Sequence, residues 1–86
     1  MEEIRWNTLK NERLKKTRGL NFKEILQRRL VDIIKHPANP HQRLLLFEHK
    51  SYIWIVPCLW TEEGLFLKTL YPSRKYTKIY RKRGIL

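Results

Sequence analysis

Cysteine is nearly missing from this chain of 86 residues: the single Cys58 excludes an internal disulfide and a cysteine-based zinc site. A lone thiol fits a reducing compartment. No apolar run reaches the roughly 18–20 residues needed to cross a bilayer, and the opening stretch Met1–Lys16 has no apolar segment of the secretory kind. Internal repeats and low-complexity segments are absent, and so are a Gly-rich phosphate loop and a Gly-x-Ser-x-Gly elbow. Acidic residues are few, 8 against 19 Lys and Arg. These absences leave a small, soluble, cytoplasmic, basic domain as the expectation, with no membrane partner.

What is present supports folding. Hydrophobic residues make up 42% and aromatics 12%, so global disorder is excluded. A chain this short forms one domain, residues 1–86, and buries only about 60–65% of its unfolded surface, so each large apolar residue matters. The net charge of +11 attracts polyanions, with RNA, DNA and acidic proteins foremost. That charge is uneven. Residues 64–86 hold seven basic residues and no acidic one, which points to the C-terminal third as the polyanion site.

Glu2 to Trp6 alternates polar and apolar residues and predicts a short strand. Asn7 offers an N-cap to a mostly exposed helix over 8–18 that stops at Gly19, with Leu9 and Leu14 its only large apolar residues. Asn21 and Glu24 form a capping box for a second helix, on which Phe22, Ile25, Leu26 and Leu30 share a face. Val31–Ile34 fits either a continued helix or a strand. After Pro37–Pro40, the strongest breaker, three strands are expected. They are Leu44–Phe47, Tyr52–Val56 and Leu65–Tyr71, with turns at His49–Ser51 and Glu62–Gly64. Pro57 should end pairing on one side, at an edge or a bulge. Pro72-Ser73 breaks the chain before a final helix over 74–83. The expected fold is α+β: a small antiparallel sheet of three to four strands, two N-terminal helices and one C-terminal helix, the helices packed on one face.

In a helix over 74–83, Arg74, Lys78 and Lys82 share one side and Tyr76, Ile79 and Tyr80 the other. The cations repel one another, a cost that a phosphate backbone or an acidic partner would relieve. Six basic residues there, Arg74, Lys75, Lys78, Arg81, Lys82 and Arg83, would make nucleic-acid binding strongly salt-dependent. RNA cleavage by the 2′-hydroxyl needs a base, an acid and a cation for the scissile phosphate. His41 and His49 are candidates for proton transfer, and Arg43 and Arg74 for phosphate clamps. His36 and His41 bracket the proline loop at a spacing with no recognised metal geometry, so no metal or cofactor is expected. Glu48 could serve as a base, but the favoured reading is a salt-bridge partner of Lys50 or Arg43. Trp6, Trp54 and Trp60 read as core, with Trp60, beside a turn, the most exposed of the three, and Cys58 reads as a buried, inert thiol.

Ile4-Arg5-Trp6-Asn7 with Lys10, followed by Arg18-Gly19-Leu20-Asn21-Phe22-Lys23-Glu24, resembles the start of BrnT-family toxins. That family opens with a strand ending in Trp-Asp or Trp-Asn, then a Lys-rich helix and a His-Gly-Val-Ser-Phe-Glu-Glu-like element. Arg43 before an apolar strand matches a family Arg, and Lys68 to Lys78, with Arg74 and Thr77, resembles the family's last strand and basic Ser-Ala-Arg-x-x-Thr turn. The resemblance runs from about Ile4 to Arg83. It implies a RelE-like fold and a metal-independent endoribonuclease that arrests translation. It also implies a cognate antitoxin that binds DNA. Arg43 and Arg74 carry over as catalytic residues, and Lys78 stands where the family has Arg. Lys68, Lys75, Lys78, Arg81 and Lys82 would hold the RNA. Ser73 lies one place late, after Pro72, and Tyr80 replaces a family Glu. The rival reading is a non-catalytic basic module that grips RNA or the ribosome.

Overall fold

The residues that start and stop helices act where the sequence puts them. In a computed structural model, which describes residues 3–86, Asn7 caps α1 (Thr8–Arg18), its side chain accepting from the Lys10 N–H at 2.9 Å. Gly19 ends the helix with φ 80°, its N–H on the Lys15 carbonyl. Asn21 and Glu24 form the expected capping box on α2, but α2 is one turn only, Phe22–Ile25. The chain then leaves for β2 (Arg29–Lys35), where Val31, Ile33 and Ile34 prefer the extended backbone. Leu30 therefore sits on a strand and not on the face of a helix.

The hairpin of β3 (Gln42–His49) and β4 (Tyr52–Thr61) is the centre of the sheet. Lys50 and Ser51 turn it with φ 53° and 62°, the left-handed pair that matches strand twist in a two-residue loop. β5 (Gly64–Leu67) runs antiparallel to the far half of β4, so β3, β4 and β5 form the expected meander. The third strand does not continue to Tyr71. It breaks opposite Pro57 and resumes as β6 (Tyr71–Pro72), paired with Trp54 and Ile55. The physical cause is Pro57. Its carbonyl accepts from the Lys68 N–H at 2.8 Å, so the side on which it lacks an N–H faces this strand. The displaced segment tucks Leu70 fully into the core.

β1 (Glu3–Trp6) lies parallel to β5, giving the order β1-β5-β4-β3-β2 with β6 beside β4. Glu2, the expected start of β1, lies outside the described residues. The fold is α+β as expected, but the sheet has six strands and is mixed, larger than the three or four antiparallel strands the turns suggest. The helices also occupy both faces. Leu14, Leu20, Phe22 and Ile25 of the α1–α2 segment pack on Leu45, Phe47, Val56, Cys58 and Leu67. On the other face Tyr80 of α3 (Arg74–Lys82), with Tyr76 and Ile79, packs on Leu44, Leu46, Ile53 and Ile55. Because neighbouring residues of a strand point oppositely, the buried run Leu44–Phe47 requires both covers.

Polar contacts fix α3. Ser73 caps it, and the buried Thr77 hydroxyl donates to the Ser73 carbonyl at 2.6 Å while accepting from the Ile53 N–H at 2.8 Å. Tyr80 donates to the Asp32 carboxylate at 2.7 Å. Burial and this acceptor push the phenol up to about 12, and the same bond lowers Asp32. Glu48 pairs with Arg29 at 2.8 Å, and not with Lys50 or Arg43, because the β2–β3 register sets Arg29 opposite it.

The parallel β1–β5 pair depends on Gly64. Its φ is 127°, and a Cβ there would fall onto the Glu3 backbone, 2.9 Å from the amide nitrogen. Gly64→Ala should cost about 2–4 kcal/mol through strain and loss of β1 docking. A thermal melt measures it, and a variant as stable as the parent would contradict this packing.

Candidate nucleic-acid interface

The α1–α2 segment does not cover its whole face of the sheet. The strand alternation puts Leu30, Ile33 and Lys35 of β2, Arg43, Leu45, Phe47 and His49 of β3, and Trp54, Cys58 and Trp60 of β4 on that face. Ile4 of β1 and Leu65 of β5 join them beyond Trp60. Phe47 and Cys58 are buried, but Leu30, Ile33 and Trp60 stay 46%, 55% and 58% exposed. The result is an open groove of about 410 Å³ with an apolar floor, and its only charged lining residues are Arg28 and Arg43.

Neither guanidinium has a carboxylate partner among the described residues. Arg43, half-buried, donates only to the backbone carbonyls of Pro40 and Gln42, at 3.3 and 3.2 Å. Arg28, just before β2, donates from Nε to Nδ1 of His49 at 2.9 Å. His49 also meets the Trp54 ring edge-on, with centroids 6.2 Å apart. Burial, then Arg28 and Lys50, lower the His49 pKa. The ring is therefore neutral near pH 7, and with Nδ1 accepting, its proton is assigned to Nε2. Cys58, the cross-strand partner of Arg43, is buried as expected, and burial raises its thiol.

The site residues read from the sequence do not all meet here. Arg43 and His49 do share this face. Arg74 begins α3, after Ser73, whose N–H donates to the Ile53 carbonyl. Ile53 lies five residues along β4 from Cys58, the partner of Arg43, or roughly 16 Å. Arg43 and Arg74 therefore serve opposite ends and opposite faces, and cannot grip one phosphate together. His41 is exposed in the loop before β3, its N–H on the Asn39 side chain. His36 accepts the Ala38 and Asn39 N–H groups through Nδ1, which makes it a staple for the proline loop. Lys68 is exposed at the end of β5.

Lys75, Lys78, Arg81 and Lys82 are exposed along α3, with no carboxylate within ion-pair distance among the described residues. Arg81 donates to the Ser51 carbonyl at 3.1 Å, Lys75 lies over the Tyr76 ring and Arg83 over the Tyr80 ring. A larger hollow, about 570 Å³, covers the Thr61–Gly64 turn, but Glu3, Glu62 and Glu63 line it and would repel a polyanion. Arg28 is the site residue that the sequence reading misses. It sits in a loop between elements, and only the β2–β3 register reveals that it meets His49. Among the described residues no helix is long and apolar enough to cross a membrane.

The Arg28–His49 contact has a pH signature. The folded pKa lies below the ordinary 6.5, so protonation of His49 opposes folding. Its contribution is fully present above pH 6.5 and is lost as the pH falls through the lowered value. An NMR titration should place the His49 midpoint below 6.5, and Arg28→Ala should move it upward. A midpoint at or above 6.5 in the parent would exclude this arrangement.

Compared with known proteins, the chain matches no family, no curated protein and no solved structure.

Proposed function

We propose that this chain is an endoribonuclease toxin of the BrnT class, with a RelE-like fold, that cleaves RNA on the open strip of its sheet. The observation that carries the reading is the pair of guanidiniums without carboxylate partners, Arg28 and Arg43, on an apolar floor edged by the exposed Trp60. A phosphodiester needs cations, and its bases need a ring to stack on. Arg43 and His49 lie six positions apart along β3, roughly 20 Å, which suits an extended strand better than a point anion.

In this reading the 2′-hydroxyl oxygen attacks the adjacent phosphorus and the bond to the 5′-oxygen breaks. Arg43 counters the charge that develops on the phosphoryl oxygens, while Arg28, roughly 20 Å along the strip beside His49, holds another phosphate of the same strand, so the scheme needs no metal or cofactor. His49, held by Arg28, offers Nε2–H as a donor and has no free lone pair in this arrangement. In this neutral form it can donate a hydrogen bond to a phosphoryl oxygen; the leaving 5′-oxygen takes its proton from water, and His49 is not the base that accepts the 2′-hydroxyl proton. His41 keeps its candidacy for that step. The α3 cations Arg74, Lys75, Lys78, Arg81 and Lys82, with Lys68, hold flanking RNA and attract the acidic surface of a cognate, DNA-binding antitoxin.

The engaged lone pair of His49 favours one second reading, the non-catalytic basic module that binds RNA or the ribosome. Cleavage of RNA by purified protein in EDTA separates the two. Arg43→Ala should slow cleavage about thirty-fold or more, equivalent to about 2 kcal/mol of transition-state stabilisation, and Arg28→Ala should weaken RNA binding several-fold, each with little change in melting temperature. Arg74→Ala, on the opposite face, should weaken RNA binding several-fold and leave the rate at saturating RNA near that of the parent. RNA binding without cleavage would establish the module and remove the enzyme.

A further inference from the structure

We infer that the rim between the start of α1 and the end of β5 is a second binding site for single-stranded RNA, separate from the groove on the sheet. The inference rests on the RNA-binding reading above. It starts from topology: Trp6 of β1 pairs with Leu67 of β5, so the two strands end side by side. Asn7 then turns the chain into α1, while Lys68 leaves β5 at the same level. A hollow of about 410 Å³ forms there, lined by Asn7, Leu9, Lys10, Arg13, Phe66 and Lys68.

Three cations from two elements line this hollow, and no acid does. Glu12, the one acid on α1, is not part of the lining. None of the three cations belongs to an ion pair among the described residues, and no side-chain hydrogen bond engages them. By contrast Lys15, one turn further along α1, is tied to Glu24 at 2.8 Å and holds the two helices together. The side chains of Lys10, Arg13 and Lys68 therefore make no polar contact that holds the fold, and their mutual repulsion opposes it. Leu9 is 71% exposed and Phe66 half-buried, so some apolar surface lies beside the charges. Cations for phosphates next to an aromatic face for a base are the two elements that hold single-stranded nucleic acid. A free phosphate would have no use for the apolar floor.

The test uses the full chain carrying Arg43→Ala to suppress cleavage, and a fluorescein-labelled single-stranded RNA 12-mer titrated from 50 to 200 mM NaCl. Each phosphate contact adds about 0.7 to the slope of log affinity against log salt for single strands. Changing Lys10, Arg13 and Lys68 together to Gln should lower that slope by about 2 and weaken binding about tenfold or more at 100 mM salt. Phe66→Leu should weaken RNA binding but spare an inorganic polyphosphate of equal length. A 4-thiouridine RNA should crosslink to the peptide that contains Phe66, a readout independent of the variants' stability. If the triple variant keeps the parent's slope while Lys75→Gln, Lys78→Gln and Lys82→Gln together abolish binding, RNA binding stands and this site falls. Equal loss of polyphosphate and RNA in Phe66→Leu would overturn base stacking here. No binding by the parent at 50 mM salt would remove both the RNA-binding reading and this site.

Discussion

Four consecutive buried residues, Leu44 to Phe47, set the terms for everything else in this molecule. Their side chains alternate between faces, so the central strand has to be covered twice. One cover is α3, a nine-residue helix whose aromatic side meets Leu44, Leu46, Ile53 and Ile55. The other is the α1–α2 segment, which contributes Leu14, Leu20, Phe22 and Ile25, with Leu26 half-buried at its edge. An α2 of a single turn cannot reach across the whole sheet. The strip left over, from Leu30 and Ile33 to Trp60, becomes the open groove with Arg28 and Arg43 on it. The proposed site is thus what remains when a short chain covers a two-sided sheet.

The same shortness explains how α3 is held. Its outer side is cationic and resists close approach of its own charges. Packing of Tyr80 and Ile79 opposes this, and so do bonds that hydrophobic contact alone would not supply. The Thr77 hydroxyl joins helix to β4, the Tyr80–Asp32 bond joins it to β2, and the Arg29 guanidinium donates to the Ile85 carbonyl at 2.8 Å. Bonds of this kind contribute about 1 kcal/mol each, and more where one partner is charged. They fix the helix so that its cations face outward from the sheet.

Local signals in the sequence were faithful. Asn7, Gly19, the Asn21–Glu24 box and Ser73 mark helix ends because capping depends on residues within four positions of each other. Pro57 marks a ladder break for an equally local reason, a missing N–H. Trp60 stays exposed because it lies near the far end of β4, beyond the reach of the helices. The non-local features were not legible. The parallel pairing of Glu3–Trp6 with Gly64–Leu67 joins segments about sixty positions apart and leaves only the weak trace of a glycine at 64. Which face each helix takes is decided by chain handedness and available area, not by amphipathic pattern alone. Arg28 gains its meaning from His49, twenty-one positions later, through a register that a bulge at Val31 shifts by one residue.

Charge follows the same division between fold and function. The acids are few, and those with contacts are engaged in holding the structure: Glu24 with Lys15, Glu48 with Arg29, Glu63 with Arg5, and Asp32 with Tyr80. Each joins two segments that pack together. Among the cations they leave without partners are those on the open groove, on α3 and at the α1–β5 rim, while Lys16, Lys23, Lys35 and Lys50 are scattered elsewhere on the surface. A protein that needed these cations for stability would have set carboxylates against them, since an exposed pair contributes up to about 1 kcal/mol. Here the repulsion stands uncompensated within the chain, at a cost that a bound polyanion removes. For the proposed polyanion partner, this unrelieved positive potential would be a source of binding energy, which the scarcity of acids leaves available.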